Sequence, residues 1–112
     1  MNPIESLLIL NLFLPHTGVI TQRYSERHQG VDIACREGDE IRSAHGGVVK
    51  KSFNSRTGNV VEVRGNGLVS SYHHLLKVEE RGKVNQGDVI GYCGNTGSWS
   101  TGPHLHWELD RL

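Results

Sequence analysis

Turn signals recur along this chain at intervals too short for helices of ordinary length. They fall at Glu37-Gly38-Asp39, His45-Gly46-Gly47, Thr57-Gly58-Asn59, Gly65-Asn66-Gly67, Arg81-Gly82 and Gln86-Gly87-Asp88, where glycine, asparagine and aspartate favour tight reversals. The pieces between them have strand length: 18–23, 30–35, 40–44, 48–53, 60–64, 68–75, 89–93 and 105–109. Many short strands at regular spacing predict an all-β fold, an antiparallel sandwich or barrel. Arg64-Gly65-Asn66-Gly67-Leu68 is the clearest hairpin, because Asn-Gly tolerates the positive φ angles of a two-residue turn. No segment carries a convincing amphipathic helix.

A chain of 112 residues suits one domain with its own core. The apolar run Leu7 to Leu14, interrupted by Asn11, is far shorter than the ~20 residues a membrane span needs and lacks the basic flank of a secretion signal. It is expected to be an entry strand or a packed segment, so residues 1–13 are set apart from a domain of 14–112. Twelve basic residues balance twelve acidic ones and are dispersed, which gives no electrostatic case for nucleic acid or an anionic membrane. Cys35 and Cys93 are expected to be two buried thiols ahead of a disulfide.

Near the C-terminus the chain reads His104-Leu105-His106-Trp107-Glu108-Leu109. Strict alternation marks a half-buried strand, with Leu105, Trp107 and Leu109 inward and His104, His106 and Glu108 sharing the other face. Upstream, His28, Gly30 and Asp32 fall on one face of an extended piece. A straight strand would hold the α-carbons of His28 and Asp32 roughly 13 Å apart, too far for two side chains on one ion. A bend near Gln29-Gly30 is therefore expected, where glycine tolerates unusual angles.

Two histidines and a carboxylate with an open position form a common catalytic zinc arrangement. The chain has no H-E-x-x-H helix to supply a glutamate base, so histidines outside the ligand set are the candidates for proton transfer. Of the seven histidines, His16 and His45 sit by turns and are expected to be solvated or structural. His73 and His74 face opposite ways on one strand, and alternation cannot choose between them. Glu108 is expected to be solvated or to hold a ligand in place, Trp107 to be core, and the long loop 94–103 to form a wall whose Ser, Thr and Asn side chains could bond a peptide backbone.

The order His28-x-Gly30-Val31-Asp32, Tyr72-His73-His74-Leu75, Val84-Asn85-Gln86-Gly87-Asp88-Val89-Ile90-Gly91, Gly94-Asn95-Thr96-Gly97 and Thr101-Gly102-Pro103-His104-Leu105-His106 resembles the LytM/lysostaphin-type M23 metallopeptidases, over roughly residues 14–110. The resemblance implies a compact β domain with a narrow groove that binds one zinc ion and cuts peptide bonds in bacterial peptidoglycan. By its motifs, His28, Asp32 and His106 would be zinc ligands and His74 and His104 catalytic. Tyr24 resembles a tyrosine that some members direct at the reacting carbonyl, though its spacing is shorter here. Action at the cell wall or periplasm is implied. With neither an export signal nor a targeting domain visible, delivery by a phage or excision from a longer exported protein is expected. The alternatives are a non-catalytic cell-wall or protein binding module on the same fold, a 2-His-1-carboxylate iron oxygenase lacking the usual H-x-D spacing, and a lipoyl-type carrier without a convincing lysine hairpin.

Overall fold

A computed structural model describes residues 1–112, apart from the side chain of Leu8. A short helix, α1 (Pro3–Ile9), precedes ten strands: β1 (Ile20–Gln22), β2 (Val31–Ala34), β3 (Glu40–Arg42), β4 (Gly47–Asn54), β5 (Gly58–Gly65), β6 (Leu68–Leu75), β7 (Lys77–Val78), β8 (Lys83–Val84), β9 (Val89–Tyr92) and β10 (His104–Arg111). All pairings are antiparallel. Seven strands form one sheet in the order β1-β2-β10-β6-β5-β4-β8, and three form a second, β3-β9-β7. The expected strands are all present, with β1, β2, β3 and β9 shorter than anticipated. Only the two-residue strands β7 and β8 lacked a pattern long enough to see.

Strand alternation builds the core. Val31, Ile33, Leu105, Trp107, Tyr72, Val61 and Val63 from the large sheet meet Ile41 and Ile90 from the small one, all at most 1% exposed. The β5–β6 hairpin turns on Asn66 (φ 55°) and Gly67 (φ 75°), the geometry that Asn-Gly favours.

The N-terminal run keeps one of its two expected readings, a packed segment, and loses the other, while the expected thiols are overturned. The N-terminal segment is no strand: α1 is a seven-residue helix capped by Asn2 Oδ1, which accepts from Ile4 N at 3.1 Å, with Pro3 in the first turn. Asparagine before proline is a sound helix start, but seven residues are too few to show a helical period. Ile4, Leu7, Leu12 and Leu14 pack on the same core as the strands. Among the described residues no helix is long and apolar enough to cross a membrane. Cys35 and Cys93 are not thiols: they form a disulfide, with α-carbons 6.3 Å apart. It ties the end of β2 to the loop leaving β9, a proximity created by the sheet-on-sheet packing and invisible in a separation of 58 residues.

His45 is structural rather than solvated, being 2% exposed. Its Nδ1–H donates to Gly46 O at 2.9 Å, its Nε2 accepts from Ser70 Oγ at 2.9 Å, and Ser70 Oγ accepts from Tyr72 Oη at 2.8 Å. Tyr72 Oη in turn accepts from Ala44 N at 2.9 Å, so each polar group in this buried chain has a partner. His16 bridges Asp39 Oδ2 at 3.0 Å and Gly18 N at 2.9 Å, away from any groove.

Candidate metal centre

Asp32, His106 and His73 stand in one row across three strands, since His106 pairs with Asp32 of β2 and with His73 of β6. Cross-strand partners share a face, so the row rises on the outer side of the sheet, opposite Trp107 and Tyr72. His28 joins it from the β1–β2 connection. Ser25 closes that turn: its Oγ accepts from Arg27 N at 3.3 Å and His28 N at 3.1 Å. The chain then bends at Gly30, φ 99°. A Cβ there would run into Trp107 O and Glu108 Cγ, so glycine is needed both for the angle and for the approach of β2 to β10. The bend brings His28 Nε2 to 3.4 Å from Asp32 Oδ2.

One nitrogen of each groove imidazole except His73 is held from behind. His28 Nδ1 lies 3.1 Å from Arg23 O, His74 Nδ1 2.8 Å from Thr96 O, and His104 Nδ1 2.8 Å from Gly102 O. A carbonyl accepts only, so each Nδ1 carries the proton and each Nε2 is left with a lone pair. His106 is turned the other way: Nε2 meets Glu108 Oε2 at 2.9 Å, and Nδ1 meets Asp32 Oδ1 at 2.7 Å. His104 Nε2 lies 3.8 Å from the same Asp32 oxygen. One ligand atom from each of His28, Asp32 and His106 lies within 4.8 Å of the others, which suits a single small cation. Glu108 thus fills the role of holding a neighbouring imidazole, one of the two expected for it.

His74 escapes alternation. An inner-face position in β6, it has φ 64°, and the left-handed backbone swings its ring to the groove beside His104, centroids 4.9 Å apart. Such an angle costs on the order of 1–3 kcal/mol in a non-glycine residue and tends to mark a working site. Both histidines of the pair therefore face the groove: His73 through alternation, His74 by breaking it. His73 ring contact with His106 is 4.9 Å between centroids, and its Nε2 stands 3.8 Å from Glu108 Oε2. Burial pushes the His73 pKa down to about 4 and lowers that of His74. For Asp32, burial is outweighed by the hydrogen bond from His106 and by the charges of His106, His104 and His28, and its carboxyl is held below its ordinary value. His106 is buried too, yet the carboxylates of Asp32 and Glu108 raise it to about 9. A proton held that firmly between two carboxylates marks a place built for a cation.

The cleft above these groups measures about 450 Å³, and Arg27, Gln29 and Trp99 are among the residues that line it. Trp99, 63% exposed, rises from the loop before β10 with the Arg56 guanidinium 5.2 Å over its ring. That loop is a groove wall as expected, but the Thr96 and Ser100 hydroxyls are engaged within the protein, with Leu75 O at 2.8 Å and Gly102 O at 2.9 Å. Its backbone carbonyls hold the histidines instead. Tyr24 departs from expectation: it packs beside α1, its hydroxyl 3.4 Å from Gln29 Oε1, and does not line the cleft.

Known proteins show the same pattern. The chain is 42% identical over 84 residues to the DD-carboxypeptidase/endopeptidase Mpg of Neisseria meningitidis, covering 72% of this chain and 19% of that protein. It is 41% identical over 99 residues to the peptidoglycan DD-endopeptidase ShyC of Vibrio cholerae, covering 85% of this chain and 22% of the relative. The chain thus spans about a fifth of the length of these curated relatives. A crystal structure of a zinc-containing peptidase from Vibrio cholerae superposes with a TM-score of 0.72 at 30% identity, over 82% of this chain and 33% of that one. The model of peptidase family M23 matches residues 26–111, and with the fold and relatives in agreement the chain belongs to that family.

Proposed function

We propose that this chain is a zinc-dependent endopeptidase that hydrolyses peptide bonds in the stem or cross-link peptides of bacterial peptidoglycan. The observation that carries this reading is the shared orientation of four imidazoles. His28, His74, His104 and His106 each have one nitrogen fixed by a carbonyl or carboxylate; His28, His104 and His106 turn the other towards Asp32, and His74 lines the same cleft. His28 Nε2, an Asp32 oxygen and His106 Nδ1 fit a zinc ion by donor type, proximity and fixed tautomer.

Bound there, zinc lowers the pKa of water towards neutrality and polarises a carbonyl, the two needs of amide hydrolysis. The protein's own residues do the rest. Burial keeps His74 neutral near pH 7, so its Nε2 can take the proton of the attacking water and return it to the departing amine. His104, 4.9 Å away ring to ring, shares that proton transfer at its own Nε2 and, once protonated there, is placed to steady the oxyanion that develops on the substrate. Glu108 holds His106 so that Nδ1 stays turned to the ion. Arg27, Trp99 and their neighbours exclude water and orient the peptide.

The names of the Neisseria and Vibrio relatives favour a bond between two D-configured centres over a glycine bridge. The Cys35–Cys93 disulfide agrees with work in an oxidising compartment such as the cell wall or periplasm. Digestion of defined peptidoglycans, one with D-alanyl cross-links and one with glycine bridges, tests the proposal by mass spectrometry of the fragments. New amines from the first, abolished by a chelator and restored by zinc, are expected. Intact fragments from both substrates with the zinc-loaded protein would overturn it.

A further inference from the structure

We propose that Arg27 binds the free α-carboxylate of the residue whose amine is released, which sets the leaving half of the substrate on the β1–β2 side of the groove. This rests on the peptidase reading above. Arg27 sits in the turn that Ser25 closes, immediately before His28, and its exposed side chain borders the cleft. Arg27 and His28 are neighbours in the chain and line the same cleft, so the guanidinium is within reach of a substrate residue next to the scissile bond.

The acidic groups of the cleft are already engaged. Asp32 faces His28, His104 and His106, and Glu108 faces His106 and His73. Arg27 has no carboxylate within ion-pair distance among the described residues. With one zinc ion (+2), Asp32 and Glu108 (−1 each) and Arg27 (+1), the cleft nets +1, which favours an anionic ligand. A guanidinium fork matches one anion above others, a carboxylate gripped by two parallel hydrogen bonds.

Substrate chemistry supplies that anion at the right place. Cutting a bond between two D-centres releases an amine on a carbon whose carboxyl group is free, whether the leaving residue is a terminal D-amino acid or the D-centre of a cross-linking diamino acid. A glycine bridge offers none there, because the corresponding carboxyl is tied into the next amide. One arginine would then serve both reactions, carboxypeptidase and endopeptidase, by reading the feature they share. Trp99, which lines the same cleft with the Arg56 guanidinium over its ring, is left to the acyl half.

The test uses two synthetic cross-linked dimers, identical except that the carboxylate beside the leaving amine is a primary amide in one. The zinc-loaded protein is expected to prefer the carboxylate dimer by roughly 10- to 100-fold in kcat/KM, mostly through KM. Arg27→Gln should collapse that ratio towards one, and Arg27→Lys should leave it in between, keeping the charge without the fork. Equal turnover of the two dimers, or a preference that survives Arg27→Gln, overturns the role of Arg27 alone. Absence of turnover with either dimer overturns the peptidase reading and this assignment with it.

Discussion

Strands β2, β10 and β6 carry two different surfaces, and the contrast between them explains how little sequence is needed to make this site. Their inner face is closed by repetition: Val31, Ile33, Leu105, Trp107 and Tyr72 are at most 1% exposed, and any residues of similar size and apolarity would serve nearly as well. Their outer face is closed by nothing and depends on single atoms. Asp32, His106 and His73 rise from the same strands, but the carbonyls of Arg23, Thr96 and Gly102 that fix the surrounding rings come from connections. One face tolerates substitution and carries the packing that resists unfolding; the other tolerates none, and what it adds to folding depends on charge and pH.

Adjacent residues should therefore fail in opposite ways. His106→Ala is expected to lower turnover at least ~1000-fold and to lose stoichiometric zinc, while the chain stays folded. Trp107→Ala, one position on, should cost about 3–5 kcal/mol of stability and lose activity only as the protein unfolds. Metal content and urea titrations of both variants separate the two. A His106→Ala protein that unfolds as readily as Trp107→Ala above pH 9, where the His106 proton no longer contributes, would dissolve the distinction between faces.

The same contrast decides what was legible beforehand. Alternation in 104–109 gave the inward residues and the shared face of His104 and His106, and Gly30 gave the bend that lets His28 meet Asp32. Local rules suffice there. They failed where the determinant is not local. His74 sits on the groove through a left-handed angle that no period announces, and only the Tyr-x-His-Leu resemblance pointed to it. His73, left undecided between groove and structure, lies on the groove because β6 pairs with β10 in one particular register. The Cys35–Cys93 bond needed two sheets to pack before it could form.

The outer face should also respond to pH when stripped of metal. His106 is raised to about 9 by Asp32 and Glu108, so its proton stabilises the fold fully below the unfolded value near 6.5 and ceases to as pH climbs through 9. His73 and His74 are lowered and act in the opposite sense, but only below about 6.5. Between pH 6.5 and 9 the metal-free protein should lose roughly 3 kcal/mol, read as a falling thermal midpoint. With zinc at Nδ1 in place of the proton, that slope should vanish. A metal-free midpoint that is flat across this interval would contradict the placement of His106 between two carboxylates.

The smallest expected effect probes the link between the faces most closely. Glu108 reaches His106 Nε2 at 2.9 Å and stands 3.8 Å from His73 Nε2; the hydrogen bond from His106 holds its own pKa below the ordinary value. Glu108→Gln keeps the size and one acceptor but removes the charge that fixes the tautomer and sharpens the ligand's basicity. Zinc affinity should fall about 10- to 100-fold, with kcat restored at saturating zinc and the metal-free thermal midpoint lowered near pH 7, because the His106 proton loses one of its two carboxylate partners. Competition against a chelator of known affinity measures the first, turnover at high zinc the second. Unchanged affinity would mean that His106 is oriented by the β2–β10 register alone, and that the outer face, like the inner one, needs only its strands.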